Sequence, residues 1–248
     1  MRRIKNMAFL LLVAVLVSLC AAPTFTLAET GTSSSSTTTK NGLIKKSGKL
    51  YYYKNGKLVK DKLGIKIGSS YYKISKKGVC TKVSEAAGRA GVQLEKIGRA
   101  STNAKTLKKA FTWCSTSIAY RSSCGSPSSG QTKAAYYSIF GFKYKQGDCT
   151  VMAATFYQMA KVLGYDAKLV SGYIISGYNK DGSVILAKHA WVTIKSSGKT
   201  YVYDPNFAYV QHTVNNNTAA HSGYKMTYTK TGKKLQYTYY SSKKKLLK

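Results

Sequence analysis

The order of helices and strands along residues 84–240 constrains the fold of this 248-residue chain more than any other feature. Apolar residues at helical spacing predict a helix capped by Ser84, then helices or helical turns over 103–117, 134–142 and 150–163. Runs rich in β-branched and aromatic residues then predict strands over 167–175, 189–194, 199–204, 224–229 and 235–240, the last two joined by a turn at Thr231-Gly232. Helices that precede an antiparallel sheet favour an α+β fold.

The first 28 residues have the pattern of a secretory signal peptide. Basic residues precede an apolar run over 7–22, and small residues lead to a cleavage position near Ala28. The run is shorter than the roughly 20 residues that a membrane-spanning helix needs. We therefore expect a secreted protein with no membrane span after cleavage. An uncleaved anchor, or a lipoprotein modified at Cys20, stays open as an alternative.

The charge of the chain is strongly unbalanced, with 40 Lys and Arg residues against 8 Asp and Glu residues and a net charge of +32. Such a charge predicts anionic partners or surroundings. Secretion and the lack of any helix-turn-helix, zinc-finger or RNP pattern argue against nucleic acid. An anionic bacterial cell wall is the expected partner, and a lysine-rich surface that only confers solubility is the alternative. The hydrophobic content of 44% is sufficient for a packed core.

An imperfect repeat follows a Ser/Thr-rich linker over residues 29–41. Its copies span 47–59 and 67–79, and Gly48 and Gly68 hold equivalent places 20 positions apart. Each copy has an aromatic strand, a turn and a short second strand. The Asn55-Gly56 pair between apolar runs is a strong hairpin signal. Residues 42–83 are therefore predicted to form an N-terminal β-hairpin repeat module.

This module resembles the cell-wall-binding repeats of Gram-positive surface proteins, a family that includes choline-binding modules. The resemblance implies an extracellular or wall-associated protein of a Gram-positive-type bacterium and makes Tyr51, Tyr52, Tyr71 and Tyr72 candidate wall-binding residues. Such modules usually supply tryptophan to hold a quaternary amine. Here leucine and isoleucine stand in those stretches, so a choline-type ligand is not expected. A module that only spaces the next domain from the wall is the alternative.

Three residues in the second half of the chain form the pattern that carries chemistry. Cys149 follows a Gly147-Asp148 turn and opens the predicted helix, where the partial positive charge of a helix N-terminus stabilises a thiolate. His189 opens one strand and Asp204 ends the next, with a turn at 196–198 between them. Because the two residues are nearly equidistant from that turn, a hairpin would bring them side by side. A carboxylate on the far imidazole nitrogen would orient the base.

The stretch that contains these residues resembles the transglutaminase-like superfamily, which shares its core and its triad logic with papain-like cysteine peptidases. The residues that carry the resemblance are Gly147-Asp148-Cys149, His189-Ala190-Trp191-Val192 and Asp204-Pro205, within a match from about 103 to 207. The resemblance implies a nucleophile helix packed on an antiparallel sheet. It also implies that Cys149 is the nucleophile, His189 the general base and acid, and Asp204 the residue that orients it.

The implied reaction is acyl transfer from an amide or ester through a thioacyl intermediate, on a protein or peptide substrate. Hydrolysis, as in a peptidase or amidase, is the first expectation. Crosslinking or amide exchange is an alternative, and so is a non-catalytic adhesion protein with an inactive triad. As hydrogen-bond donors to the oxyanion we expect the N–H of Cys149 and one of three side chains. The sequence does not choose among these side chains, which are Trp113, Tyr144 and Gln146. Trp191 is expected to pack the sheet.

The remaining reactive residues give weaker signals. Four cysteines follow the cleavage position, and Cys114 and Cys124 are near enough in sequence to form a disulfide, although other pairings stay open. No CxxC, HExxH or helical histidine pair is present, so no metal site and no cofactor is predicted. His212 and His221 lie in a polar stretch and are expected at the surface. Residues 84–248 are taken as the catalytic domain.

Overall fold

The structure, a computed structural model, describes residues 40–216, 223–228 and 238–247. All of these described residues belong to one compact unit. The expected signal peptide, most of the Ser/Thr linker, His221 and the turn at Thr231-Gly232 lie outside the described residues. In the described ranges, every helix is too short or too polar to cross a membrane.

The helices and strands of this unit are divided between two regions. The first region holds six strands, namely β1 (Gly42–Lys46), β2 (Lys49–Lys54), β3 (Lys57–Leu58), β4 (Lys62–Ile67), β5 (Ser70–Ile74) and β6 (Val79–Val83). The second holds the helices α1 (Glu85–Ile97), α2 (Asn103–Ser117), α3 (Lys133–Tyr144), α4 (Cys149–Val162) and α5 (Pro205–Tyr209), and the strands β7 (Ala119–Tyr120), β8 (Gln146–Gly147), β9 (Ala167–Tyr178), β10 (Val184–Ser196), β11 (Lys199–Tyr203) and β12 (Tyr239–Tyr240). A π-helical turn follows α5 over Val210–Val214. The α+β class is confirmed.

The predicted repeats form one antiparallel sheet in the order β1-β2-β6-β5-β4, with β3 paired to β2. Asn55 and Gly56 have φ values of 51° and 74°, which places both in the left-handed region that a two-residue hairpin turn requires. Each copy is joined by a third strand, because β1, which contains Leu43 and Ile44, pairs with β2, and β4, which contains Ile65, pairs with β5. The copies meet where β2 pairs with β6.

Helix α1 packs directly on this sheet because three glycines remove the side chains that would keep the backbones apart. A Cβ on Gly91 would lie 2.3 Å from the carbonyl oxygen of Leu63 in β4, and one on Gly64 would lie 2.5 Å from the Val92 nitrogen. A Cβ on Gly88 would overlap the Tyr71 side chain. Ser84 caps the helix as predicted, since its Oγ accepts a hydrogen bond from the Ala87 N–H. The predicted boundary after residue 83 is therefore a place of tight packing, not a flexible joint.

The second sheet has the order β11-β10-β9-β12, and its strand β10 is buried on both faces over residues 189–194. Ala190, Val192 and Ile194 of β10 join the main core with α4 and α2. Trp191, between them in sequence, is fully buried with Val202 and Tyr239 in a separate cluster. Alternate residues of a strand point to opposite faces, so the HAWVTI run fills two cores. Trp191 packs the sheet, as expected.

Two predictions about local structure can be compared directly with the structure. The helix predicted over 103–117 is α2, with the Thr102 side chain as its N-cap. The disulfide between Cys114 and Cys124 is wrong, because all four described cysteines are free thiols. Cys114 is fully buried in the main core, where its sulfur lies 3.9 Å from that of Met159 in α4, while the Cys124 sulfur lies 3.4 Å from the Arg121 carbonyl oxygen.

We predict that Gly91→Ala lowers the free energy of unfolding by about 1–3 kcal/mol, because the new methyl meets backbone atoms that no rotamer change can move. The gain in helix propensity from alanine, at most about 1 kcal/mol, does not offset this. Urea denaturation measures the change. Gly177→Ala is the matched control, since its Cβ would first meet the Ile185 side chain at an ordinary 3.7 Å. Equal stability of the two variants would contradict the close-packing argument.

Candidate active site

Cys149 is the first residue of α4, and its neighbours fix it there. Asp148 is the N-cap, and its Oδ1 accepts a hydrogen bond from the Val151 N–H at 3.0 Å. The residue before Asp148 is Gly147, and a side chain does not fit there because a Cβ would lie 2.3 Å from the Val151 side chain. The thiol is half-buried, at the positive end of a 14-residue helix.

His189 and Asp204 are brought together by the β10–β11 hairpin. The pairing runs from Ser196 opposite Lys199 to Val192 opposite Tyr203, and the turn between the strands uses left-handed Ser197 and Gly198. His189 Nε2 lies 2.7 Å from Asp204 Oδ2. The Cys149 side chain lies close enough to the same imidazole to help raise its pKa, and both residues line one cleft. The structure therefore brings the three predicted residues together.

Asp204 is completely buried and has three hydrogen-bond donors. Besides His189, the Tyr239 hydroxyl donates to its Oδ2 at 2.9 Å, and the Phe207 N–H donates to its Oδ1 at 2.9 Å. The last of these bonds makes Asp204 the N-cap of α5, whose first residue is Pro205. A buried carboxylate is tolerated only when its oxygens are satisfied in this way. The Asp-Pro pair is thus both a helix start and the anchor of the base.

The protonation of His189 reflects a balance of opposing effects. Burial disfavours the charged ring, since the residue is only 5% exposed. The charge of Asp204, the hydrogen bond to it and the interaction with Cys149 outweigh burial and raise the pKa of His189 to about 10. An imidazolium is therefore the form that the folded protein favours at neutral pH. An imidazolium beside a cysteine stabilises the thiolate.

A cleft of about 460 Å³ opens over Cys149 and His189. Its walls carry hydroxyl groups and lysines, among them Tyr120, Lys133, Ser171 and Lys188. Tyr120 is 51% exposed and stands in β7 opposite Gly147 of β8. Burial, followed by the negative charges of Cys149 and Asp148, raises the pKa of the Tyr120 hydroxyl. That hydroxyl lines the same cleft as the thiol and keeps its proton over a wide pH range.

The three side chains predicted for the oxyanion are located elsewhere. Trp113 stacks on Phe142 and lines a separate pocket along α2. Tyr144 and Gln146 line a different pocket from the one over Cys149. Tyr120, which the sequence analysis did not single out, does line the cleft over Cys149. The Cys149 N–H stays as the backbone candidate.

The tyrosines predicted to bind the wall divide into two pairs. Tyr71 and Tyr72 are only 8% and 9% exposed, because Tyr71 packs on α1 and Tyr72 on Ile74 and Cys80. Neither ring is available to a ligand, so these two assignments are wrong. Tyr51 and Tyr52 are half-buried in β2. His212, expected at the surface, is half-buried in the π-helical turn.

The other thiols differ from Cys149 in their surroundings. Burial raises the pKa of Cys80, Cys114 and Cys124, and so keeps them protonated. Among the described residues, no three His, Cys, Asp or Glu side chains are grouped closely enough to hold a metal ion. A second cleft of about 520 Å³ lies between the hairpin sheet and helices α1 and α4, and its described lining contains no cysteine or histidine.

Two positions of the site gave no functional signal in the sequence. Tyr239 lies in a two-residue strand that pairs with Ile174 and Tyr173 of β9, and it follows Asp204 by 35 positions. Gly172 stands opposite His189, where a Cβ would overlap the Tyr240 carbonyl oxygen and come within 2.7 Å of the Trp191 ring. Only the pairing of distant strands makes either residue important. The one indication in the sequence was the glycine within a predicted strand, because such a glycine often marks a place where another backbone comes close.

We predict that Tyr239→Phe lowers the free energy of unfolding by about 1–3 kcal/mol, because it removes a hydrogen bond to a buried carboxylate. Guanidinium denaturation measures the loss. Tyr240→Phe is the matched control, since neighbouring strand residues point to opposite faces, and it should change stability by less than about 0.5 kcal/mol. A similar loss in both variants would mean that the Tyr239 bond contributes nothing specific.

The raised pKa of His189 predicts a loss of stability in alkaline solution. The folded-state pKa of about 10 lies above the unfolded value of 6.5, so the folded state binds the proton more tightly. The resulting stabilisation is complete below about pH 6.5 and disappears as the pH rises to about 10. The free energy of unfolding of the wild type should therefore fall more steeply between pH 7 and pH 10 than that of His189→Gln. Parallel profiles in urea denaturation would refute this.

Comparison with known proteins agrees with the geometry. Residues 92–205 match the model of the transglutaminase-like superfamily, a stretch that contains Cys149, His189 and Asp204. The comparison with curated proteins found no match.

Solved structures resemble parts of the chain at low identity. One is of a candidate cysteine protease from Cytophaga hutchinsonii, with 13% identity over 49% of this chain and 38% of that chain, and a TM-score of 0.35. Another is of the periplasmic domain of TgpA from Pseudomonas aeruginosa, with 16% identity over 52% of this chain and 45% of that one, and a TM-score of 0.39. The alignments thus span less than half of each of those chains. The family match, on a mixed α/β fold with antiparallel sheets, supports a transglutaminase-like superfamily domain in this protein.

Proposed function

We propose that the protein is a cysteine-dependent acyl-transfer enzyme that cleaves amide bonds through a thioacyl intermediate. The observation that carries this proposal is the grouping of Cys149 and His189 at one cleft, with His189 hydrogen-bonded to the buried Asp204. The helix N-terminus and the imidazolium both favour a thiolate. The other described cysteines are buried, whereas Cys149 faces a cleft large enough for part of a peptide.

The acylation step follows from this arrangement. The Cys149 thiolate attacks the amide carbonyl carbon, a C–S bond forms, and the carbonyl electrons move to the oxygen. The Cys149 N–H and the Tyr120 hydroxyl are the donors that the cleft offers to this oxyanion. The imidazolium of His189 then gives its proton to the leaving nitrogen. The C–N bond breaks and the amine departs, which leaves a thioester and a neutral imidazole.

Deacylation returns the site to its starting state. His189, now neutral, takes a proton from water while the water oxygen bonds to the thioester carbon. The C–S bond breaks, the acid leaves, and the thiolate and imidazolium are restored. Asp204 holds the ring orientation and stabilises the imidazolium charge without taking the proton. Its N-cap bond to Phe207 and its bond to Tyr239 serve that purpose.

Hydrolysis is the first choice because the cleft is open and Tyr120 at its wall is half-exposed, so water can reach the thioester. An amine could take the place of water through the same intermediate. Assays with an added primary amine distinguish the two outcomes, since hydrolysis gives the free acid and amide exchange gives a new amide.

We further propose that the enzyme is secreted and acts at the cell envelope. The signal-like residues 1–28, the hairpin repeats and the net charge of +32 support this location. Because α1 packs tightly on the repeats, the module and the acyl-transfer site would act there as one body. Fractionation of producing cells tests the location, and recovery of the protein in the cytoplasm would refute it.

The activity is tested through the thiol. We predict that iodoacetamide labels Cys149 rapidly at about pH 6 and that this labelling is lost in His189→Ala, because the mutation removes the imidazolium that stabilises the thiolate. Peptide mass spectrometry maps the label. Cys149→Ser should lower hydrolysis of a peptide library by at least about 10³-fold.

The matched control for the histidine is His212→Ala. This residue lies in the π-helical turn and does not line the described cleft, so its removal should leave the labelling profile unchanged. Labelling that rises only near the ordinary thiol pKa of about 8.5, and equally in the wild type, His189→Ala and His212→Ala, would refute the enzymatic proposal. A non-catalytic binding protein on the same fold would then be the better interpretation.

A further inference from the structure

We propose that the acyl donor of the Cys149 site is an acidic peptide, whose carboxylates are held by lysines at the cleft. This inference rests on the proposed function and adds its substrate class. It is carried by the distribution of charge around the cleft, which is strongly one-sided.

Lysines surround the thiol in three dimensions although they are far apart in sequence. Lys133 is the first residue of α3, and Lys188 precedes His189 in β10; both are exposed and both line the cleft. Lys244 Nζ lies 5.7 Å from the ring centroid of Tyr173, another residue of the cleft wall. Three separate segments of the chain therefore direct positive charge to one opening.

The acidic residues of the chain are too few to neutralise these lysines. Only 8 are present against 40 basic residues. Those of the first 99 residues that the structure describes, Asp61, Glu85 and Glu95, form their ion pairs with Lys62, Arg89 and Arg99. In the described part of the chain, no ion pair includes Lys133, Lys188 or Lys244.

The charges inside the cleft do not alter this balance. Asp148 is the only acidic residue among those that line it, and one of its oxygens already accepts the Val151 N–H. The thiolate and imidazolium cancel each other, and Asp204 lies buried behind His189. The field at the opening is therefore positive, and a concave site concentrates such a field. A peptide with carboxylates beside its scissile amide gains from that field, whereas a basic peptide is repelled.

Two alkylating reagents of nearly equal size test the field directly. Iodoacetamide is neutral and iodoacetate is anionic, and in both cases the Cys149 sulfur forms a bond to carbon as iodide leaves. We expect the ratio of the iodoacetate rate to the iodoacetamide rate at Cys149 to fall about threefold or more in Lys133→Gln/Lys188→Gln at low ionic strength. Salt at about 0.5 M should reduce the wild-type ratio in the same direction.

The matched control is Lys105→Gln/Lys108→Gln on α2, which removes the same net charge from residues that line a different pocket. Its ratio should stay at the wild-type value. An equal fall in both double variants would overturn the proposal, because the effect would then come from the total charge. Rapid iodoacetamide labelling with no change of the ratio would also overturn it, yet leave the proposed function intact. Slow labelling by both reagents would remove the proposed function and this inference with it.

A substrate assay provides a second test of the proposal. Peptides that carry glutamate on both sides of a common amide should be cleaved with a higher kcat/KM than their glutamine counterparts. The preference should shrink in the Lys133→Gln/Lys188→Gln variant and persist in the Lys105→Gln/Lys108→Gln variant. Equal cleavage of the two peptides by the wild type would refute the acidic preference.

Discussion

The buried carboxylate of Asp204 is the constraint on which the site and much of its surroundings depend. A fully buried negative charge is costly unless every oxygen finds a donor, and here the donors come from three different segments: β10, α5 and β12. To place them, β10 and β11 must form a hairpin, the chain must turn into α5 at Pro205, and β12 must return to the edge of β9. The triad is therefore a packing requirement as well as a chemical one.

A second constraint joins the hairpin sheet to this scaffold. Gly64, Gly88 and Gly91 allow backbone contact between β4 and α1, and α1 in turn packs against α4, whose first residue is Cys149. A change in the repeats can thus reach the nucleophile through only two elements. The hairpin sheet is consequently part of the same compact unit as the site.

Much of the fold and the order of the triad could be predicted from the sequence because their signals are local. The caps at Ser84 and Thr102, the Asn55-Gly56 turn and the Gly-Asp turn before Cys149 each act within a few residues. The roles of Tyr239 and Tyr120 could not be predicted, since each depends on a short strand that pairs across a long separation. The predictions for Cys114, Tyr71 and Tyr72 were wrong because all three side chains are buried. Their neighbours in the sequence do not indicate which distant segments cover them.

The late position of Tyr239 has a consequence for synthesis. The nucleophile, the base and its carboxylate all emerge from the ribosome before the hydroxyl that completes the burial of that carboxylate. Until the segment carrying Tyr239 has been made and has paired with β9, Asp204 lacks one of its three donors. The carboxylate that holds His189 therefore gains this donor only when β12 has paired with β9.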